Sequence, residues 1–302
     1  MGTVWELDFY SSPVFDEKNK KRWEILICEG LQSVADAPED LFRYSKYVSN
    51  SEVNSDALQT ALEEAIAQAT EDGKAPPTKV RYFRYQMQNM IKRACENTGL
   101  LSYPSRRALA LQQWLEDRKE NVYPNESGYK PSASASIARP LEVVNPLPDA
   151  LLGLKWSLVT LPAEGFDEMS EWDIGFGESF PLAPAGVAPD TPIPGFIVYS
   201  QRANALAAWM SGLEIACVRA GREESSNYTS PTDGDTARLL MDTGTVDTWL
   251  LADLTTPETQ TEAKRFEEAK QAANNVHFLA VQESPESESF AGFWLMQSRE
   301  FG

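Results

Sequence analysis

The sequence has few of the residues on which many metal and catalytic sites depend. Its 302 residues include one histidine, His277, and three cysteines, Cys28, Cys95 and Cys217, which form no CxxC pair. This scarcity excludes a multi-histidine metal centre and disfavours a zinc ribbon or a thioredoxin-like site. The chain also lacks a P-loop, a GxGxxG motif and a GxSxG signature. We therefore predict no catalytic residue, metal or cofactor, and we interpret His277 as a partly buried strand histidine.

Long apolar runs and targeting segments are missing as well. No run approaches the ~20 apolar residues that a membrane helix requires, so membrane insertion is not predicted. The opening residues, MGTVWELDFYSS, contain neither an apolar signal core nor an Arg/Ser-rich transit segment, which predicts a cytoplasmic protein. Hydrophobic residues make up 42% of the chain and charged residues 24%, which is typical of a folded protein with a substantial core.

Positive charge is scarce and unevenly distributed. The chain has 27 basic and 45 acidic residues, a net charge of −18, which excludes a uniformly basic nucleic-acid surface but permits a local basic patch. Residues 1–130 have 17 basic and 20 acidic side chains, so residues 131–302, with 10 and 25, carry −15 of the total. Because residues 123–150 are rich in proline and contain the run SASAS, they are typical of a linker. We predict an N-terminal domain at 1–122 and a C-terminal domain at 151–302.

Hydrophobic patterning predicts an α+β fold made of two mixed α/β domains, without the regular alternation of a Rossmann sheet. The first domain is predicted to open with a hairpin of Thr3–Tyr10 and Arg22–Cys28. Its helices are predicted at Leu58–Ala69, at Tyr85–Glu96 and from Ser105, the expected N-cap, to Lys119. In the second domain, a long loop is predicted at 162–195, which has six prolines and five glycines.

Two apolar strands with similar surroundings suggest an old duplication. Trp23–Glu29 and Thr248–Leu254 each carry a tryptophan near the start and a carboxylate near the end. Each is followed by Pro-Glu and then by a helix and a strand. Duplication of one α/β unit and chance similarity of two hairpins both account for this pattern.

Clustered carboxylates raise the alternative of a metal-dependent nuclease, a class that groups Asp, Glu and Lys on adjacent strands. Asp8, Glu24 and Glu29 in the first hairpin are candidates, as are Asp242 and Asp253 in a second hairpin. The element order has a slight similarity to the restriction-endonuclease-like superfamily. However, neither hairpin contains the Glu-x-Lys triplet, so we interpret these residues as structural carboxylates.

Three stretches resemble one protein family. They are WELDFYS at residues 5–11 with KRWE at 21–24, IPGF at 193–196 continuing to LAAWMSGLE at 206–214, and GFWL at 292–295. Together they resemble the Tab/Atab family of chloroplasts and cyanobacteria over essentially the whole chain.

The resemblance implies an RNA-binding protein that supports translation of a photosystem I reaction-centre mRNA, by acting at its 5′ untranslated region, and photosystem biogenesis. Family members end in a Trp-Leu-Leu tripeptide that is implicated in RNA binding. The matching positions here are Trp294, Leu295 and Met296, so the third residue differs but keeps an apolar volume. The missing transit segment points to a cyanobacterial member, with a cytosol equivalent to the chloroplast stroma.

The residues from Lys79 to Arg107 form the best local candidate for RNA contact. This stretch has seven basic residues and one acidic residue, Glu96. RNA binding requires cations for phosphates and flat side chains for bases. The candidate RNA-binding residues of this stretch are Lys79, Arg81, Tyr82, Arg84, Tyr85, Lys92, Arg93, Arg106 and Arg107. Two interpretations account for this arrangement of basic and aromatic residues. The basic residues form either an ordinary solvated helix face above core aromatics or a surface that binds RNA. A protein-assembly factor, whose acidic half contacts basic ribosomal or photosystem proteins, is the alternative function.

Overall fold

The computed structural model describes residues 3–131, 143–148, 155–221 and 237–299. The chain divides into two compact units. Unit 1 comprises residues 1–31 and 37–139 with the last two residues, and unit 2 comprises residues 32–36 and 140–300. Both units mix helices with sheets, which confirms the predicted α+β class. Within the described ranges, every helix is too short or too polar to cross a bilayer.

Unit 1 is a five-stranded mixed sheet with helices on both faces. Its strand order is β3-β2-β1-β4-β5, in which β1, β4 and β5 are parallel to one another and β2 is antiparallel to β1 and β3. The strands are β1 (Thr3–Phe15), β2 (Lys21–Glu29), β3 (Arg43–Val48), β4 (Pro77–Tyr82) and β5 (Leu101–Pro104). The helices are α1 (Ser55–Glu71), α2 (Gln88–Asn97) and α3 (Leu109–Asp117).

Strand alternation in β1 separates an apolar face from a polar one. Trp5, Leu7 and Phe9 are fully buried and pack with apolar residues of α1 and α2 in one core cluster. Glu6, on the opposite face, accepts a hydrogen bond at 2.7 Å from the backbone N–H of Leu111 in α3. The helices α1 and α2 therefore cover one face of the sheet and α3 covers the other.

Unit 2 contains two sheets, ordered β10-β11-β12-β6 and β7-β9-β13-β14-β8. The strands of the first sheet are β6 (Val143–Pro146), β10 (Ile215–Gly221), β11 (Ala237–Thr243) and β12 (Asp247–Leu254). Those of the second are β7 (Lys155–Pro162), β8 (Ile174–Glu178), β9 (Pro192–Tyr199), β13 (Val276–Gln282) and β14 (Phe290–Gln297). The helices α4 (Ala203–Ser211) and α5 (Pro257–Ala272) contribute to one core cluster with strands of both sheets.

His277 is completely buried and joins the two sheets of unit 2. Its Nε2 accepts a hydrogen bond from the backbone N–H of Val218 at 2.9 Å, and its Nδ1 donates to the backbone oxygen of Asn275 at 3.0 Å. Both ring nitrogens thus bond to backbone, so the histidine has a structural role. The sequence predicted only partial burial.

Several local predictions differ from the structure. Ser105 is not the N-cap of α3, which begins at Leu109, because Ser105 instead follows β5 and accepts a hydrogen bond from the N–H of Arg107. The predicted loop 162–195 contains a 3₁₀ helix at Ala163–Glu171 and the edge strand β8. β8 is stabilised by pairing with β14, which is remote in sequence. The pattern of neighbouring residues therefore could not predict this strand.

The proline-rich segment 123–150 contributes packed structure at both ends. Tyr123 is fully buried and donates a hydrogen bond to Glu24 at 2.6 Å. Residues 143–146 form β6, which pairs in parallel with β12. The SASAS run lies outside the described residues.

The suggested duplication does not continue beyond the two similar strands. Pro38-Glu39 opens a short 3₁₀ helix that is followed by β3, whereas Pro257-Glu258 opens α5 directly. In unit 1 the strand after the helix returns to the same sheet, whereas β13 enters a different sheet from β12. The two elements that looked equivalent therefore have different neighbours.

Candidate nucleic-acid interface

The basic residues that follow β4 and β5 meet at one edge of the unit 1 sheet. β4 and β5 are parallel, with Tyr82 opposite Pro104, and the N–H of Ser105 donates to the oxygen of Tyr82 at 2.8 Å. Beyond these ends the chain leads from β4 to α2 on one face and from β5 to α3 on the other. In open α/β sheets, ligands bind at the carboxyl ends of parallel strands where the connections diverge to opposite faces.

We call this edge the carboxyl-edge surface, defined by Arg84, Tyr85, Arg106 and Arg107. Tyr85 is 41% exposed and is therefore accessible for stacking, whereas Arg106 and Arg107 are half-buried. Three cations and an aromatic ring at one edge combine the two chemistries that RNA binding requires.

Arg84 is held in place by a buried carboxylate. Its Nε donates to Oδ1 of Asp8 at 2.6 Å, and its guanidinium carbon lies 5.1 Å from the ring centroid of Tyr10 and 5.3 Å from that of Phe83. Asp8 is only 1% exposed, and burial raises its pKa because lost hydration outweighs the attraction of Arg84. Within the described part of the chain, the terminal Nη groups of Arg84 form no hydrogen bond.

The remaining predicted cations of this region occupy two other places. Lys92 and Arg93 are exposed on α2, where Lys92 approaches Glu96 at 4.0 Å. Lys79 lies on β4, with its Nζ 5.5 Å from the ring centroid of Tyr103. Arg84 does not share the α2 face with Lys92, because it precedes the helix and turns toward Asp8.

Five of the predicted RNA-binding residues lie inside the units. Arg81 and Tyr82 are 1% and 4% exposed, because β4 is an interior strand between β1 and β5 and helices cover both faces. Trp294, Leu295 and Met296 are buried in β14, with Trp294 only 4% exposed. A buried side chain presents no free surface to RNA, so the structure does not place these five residues on an RNA-binding surface.

Close packing accounts for the glycines near Trp294 and in the IPGF stretch. A Cβ on Gly292 would lie 2.4 Å from Cη2 of Trp294 and 3.0 Å from Cβ of Ala207 in α4. A Cβ on Gly195 would lie 2.5 Å from three ring atoms of Phe278 on the neighbouring strand. Both glycines allow a large aromatic ring to lie against the backbone, so two of the stretches that carry the resemblance are explained by core packing.

The carboxylates that suggested a nuclease are engaged in structural contacts. Asp8 and Glu24 share a sheet face, but Glu29 accepts hydrogen bonds from the N–H of Phe42 at 2.8 Å and from Lys74 at 2.9 Å. Asp242 accepts from Thr248 and Arg219, whereas Asp253 pairs with Arg238. No group of three or more His, Cys, Asp or Glu in the described ranges is arranged to hold a metal ion.

Glu24 is the most completely enclosed of these carboxylates. It is fully buried and ion-paired with Arg118, and its Oε2 accepts hydrogen bonds from Tyr10 at 3.0 Å and from Tyr123 at 2.6 Å. Burial raises the pKa of Glu24 to about 7, because lost hydration outweighs the attraction of Arg118. This cluster is enclosed by its own partners and leaves no open position for a substrate.

Glu6 stabilises the start of α3, a role that the sequence analysis did not predict. Its buried carboxylate accepts the N–H of Leu111 in the first turn of α3 and so caps that helix from the sheet. The available signal was the acidic residue at position 6 between the apolar residues Trp5 and Leu7, whose burial predicts a partner. Because the cap fixes the start of α3, it also positions the loop that carries Arg106 and Arg107.

Comparison with known proteins gives matches along nearly the whole chain. The model described as "RNA-binding protein Tab2/Atab2 N terminal" matches residues 4–118, and the one described as "RNA-binding protein Tab2/Atab2, C-terminal domain" matches residues 134–297. The protein TAB2 homolog, chloroplastic, of Arabidopsis thaliana is 34% identical over 299 residues, which cover 97% of this chain and 74% of the relative. The protein TAB2 homolog, chloroplastic, of Zea mays is 36% identical over 299 residues, which cover 97% of this chain and 70% of the relative.

Proposed function

This chain belongs to the Tab2/Atab2 family, and we propose that it is an RNA-binding protein that contacts RNA through the carboxyl-edge surface of unit 1. The observation that carries this proposal is that Arg84, Arg106 and Arg107 all follow the carboxyl ends of two neighbouring parallel strands. The net charge of the chain is −18, so a polyanion requires a local cationic surface of this kind.

Arg84 is the proposed anchor of a phosphate group. Asp8 holds the guanidinium through Nε and the two flanking rings restrict its movement. The Nη groups can then donate two parallel hydrogen bonds to a phosphate, the geometry that distinguishes arginine from lysine. Because Asp8 orients the cation before RNA arrives, little side-chain entropy is lost on binding.

Three exposed residues beside Arg84 extend this contact along a single strand of RNA. Tyr85 follows Arg84 directly and is exposed, so its ring can stack on an unpaired base. Lys92 and Arg93 add two exposed cations on the helix that begins beside it. We infer a binding mode for single-stranded RNA, in which phosphates are positioned by arginines and a base by Tyr85.

For the RNA target we propose the 5′ leader of a photosystem I reaction-centre mRNA, with a role in its translation and in photosystem biogenesis. The support is family membership, together with the two relatives, whose names describe them as chloroplastic. A chain of this kind in a cyanobacterium acts in the cytosol, the compartment equivalent to the stroma.

We expect Arg106→Gln with Arg107→Gln to weaken RNA binding by about tenfold and to reduce the log–log salt slope by about 1.4, since each phosphate contact with a single strand contributes about 0.7. The measurement is a fluorescence titration of the full chain with a photosystem I leader RNA and a scrambled RNA over a range of salt. Lys264→Gln with Arg265→Gln, two exposed cations on α5, is the charge-matched control.

The control variant should retain its affinity and its salt slope. Equal weakening by both variants would contradict the proposed surface, because it would show attraction by net charge alone. Equal affinity of the unmodified chain for the leader and the scrambled RNA would contradict the proposed target but not the surface.

A further inference from the structure

A cavity of about 800 Å³ in unit 2 is lined by two segments that are far apart in sequence. Glu171 ends the 3₁₀ helix, and Trp172 and Asp173 connect it to β8, whereas Glu288 and Ser289 lead into Phe290, the first residue of β14. The N–H of Phe290 donates to the oxygen of Asp173 at 2.8 Å, which fixes the two segments side by side. The cavity is therefore part of the sheet edge rather than of an isolated loop.

The aromatic residues that line this cavity are Trp172 and Phe290. The ring centroid of Trp172 lies 5.4 Å from that of Phe293, 5.8 Å from that of Phe166 and 5.9 Å from that of Phe290. Phe166 and Phe293 are fully buried, whereas Trp172 and Phe290 are half-buried. The core thus holds Trp172 in one position while part of its ring remains accessible. A flat or cationic group can therefore bind against the ring with little movement of the side chain.

Three of the residues that line the cavity are acidic, and the two segments that contain them are uniformly negative. Residues 163–173 and 283–290 contain eight acidic residues and no basic one. All eight are exposed, and none of them forms an ion pair within the described residues. They are Glu164, Asp167, Glu168, Glu171, Asp173, Glu283, Glu286 and Glu288.

This combination selects among the possible occupants. A polyanion such as RNA is repelled by the three lining carboxylates and by the acidic segments that contain them. A metal ion is not indicated, because the acidic residues described here do not converge as a ligand set. A positive side chain satisfies both parts of the site, since its charge meets the carboxylates and its guanidinium or ammonium group lies against the Trp172 ring.

We infer that this acidic–aromatic pocket binds a basic segment of a partner protein, with an arginine or lysine side chain against Trp172 and Phe290. The pocket and the carboxyl-edge surface lie in different units, so the inference does not depend on the proposed RNA function. Opposite charges on the two surfaces give the chain separate contacts for RNA and for a basic protein.

The test is binding of the full chain to a fluorescent peptide of alternating arginine and serine, compared with a peptide in which glutamine replaces arginine. The pocket variant combines Glu171→Gln, Asp173→Asn and Glu288→Gln, which remove three charges with little change in shape. The control variant combines Asp190→Asn, Glu258→Gln and Glu262→Gln, three exposed acids elsewhere in unit 2. These two variants change the net charge equally.

We expect the pocket variant to weaken binding of the arginine peptide by about tenfold and the control variant by less than about twofold. We also expect the peptide to change the tryptophan fluorescence of the unmodified chain but not that of the pocket variant.

Equal weakening by both variants would overturn the inference, as would equal binding of the glutamine peptide. Displacement of the peptide by spermine at equal charge concentration would assign the pocket to small polycations instead. RNA affinity of the pocket variant should stay unchanged, which separates this test from that of the RNA surface.

Discussion

Replacing Trp294 by alanine is expected to lower the free energy of unfolding by about 3–5 kcal/mol, the usual cost of removing a buried tryptophan. The ring lies in a core cluster with residues of α4 and β13 and against the backbone of Gly292, so its removal leaves a cavity among packed residues. Urea titration of the full chain, followed by circular dichroism, measures the change. Trp294→Phe, which retains a ring, should cost less than half as much.

The same variant separates two explanations for any loss of RNA binding. If Trp294 acts only in the core, RNA affinity will fall in proportion to the unfolded fraction and will remain normal wherever the variant is folded. The measurement is an RNA titration at low temperature in a stabilising osmolyte, with the folded fraction determined in the same buffer. A folded Trp294→Ala protein with much weaker RNA binding would contradict this explanation and would require the ring to contact RNA.

Replacing Arg118 by methionine is expected to cost about 3–5 kcal/mol of unfolding free energy near pH 8, because it leaves the carboxylate of Glu24 buried without its counter-charge. Arg22→Met is the matched control, since Arg22 is partly exposed and lies 4.0 Å from Glu126. That exposed pair should contribute less than about 1 kcal/mol. Urea titrations of both variants and of the unmodified chain provide the comparison.

The cost of Arg118→Met should depend on pH in a defined direction. Because the pKa of Glu24 is raised from 4.5 to about 7 on folding, this group stabilises the unmodified chain most below about pH 4.5, and the contribution is lost as pH rises through about 7. Without Arg118 the pKa rises further, so acidification to about pH 5 should restore part of the lost stability.

The double variant Glu24→Gln with Arg118→Met removes both charges and tests the coupling between them. It should be more stable than Arg118→Met alone near pH 8 and should lack the contribution of Glu24 to the pH dependence between about pH 5 and 8. A cost of Arg118→Met that stays constant over this range would show that Glu24 is not the group responsible.

The sequence alone determined those features that depend on neighbouring residues. Alternating apolar residues predicted the first hairpin, which the structure extends to Thr3–Phe15 and Lys21–Glu29. Helical spacing predicted α1 and α2 to within a few residues of their ends. The short stretches that resemble the Tab/Atab family identified the family correctly. A motif such as LAAWMSGLE can be recognised in the sequence without knowledge of its contacts in the fold.

Only the tertiary structure decided which basic residues reach the surface. Arg81 and Arg84 are three residues apart in one basic stretch, yet Arg81 is buried in an interior strand and Arg84 lies beyond its end, paired with Asp8. Likewise Glu24 meets an arginine 94 residues away, and two separate segments enclose the cavity of unit 2. The physical reason is that local patterning sets which way a side chain points, whereas burial and charge pairing depend on segments that folding brings together from distant parts of the chain.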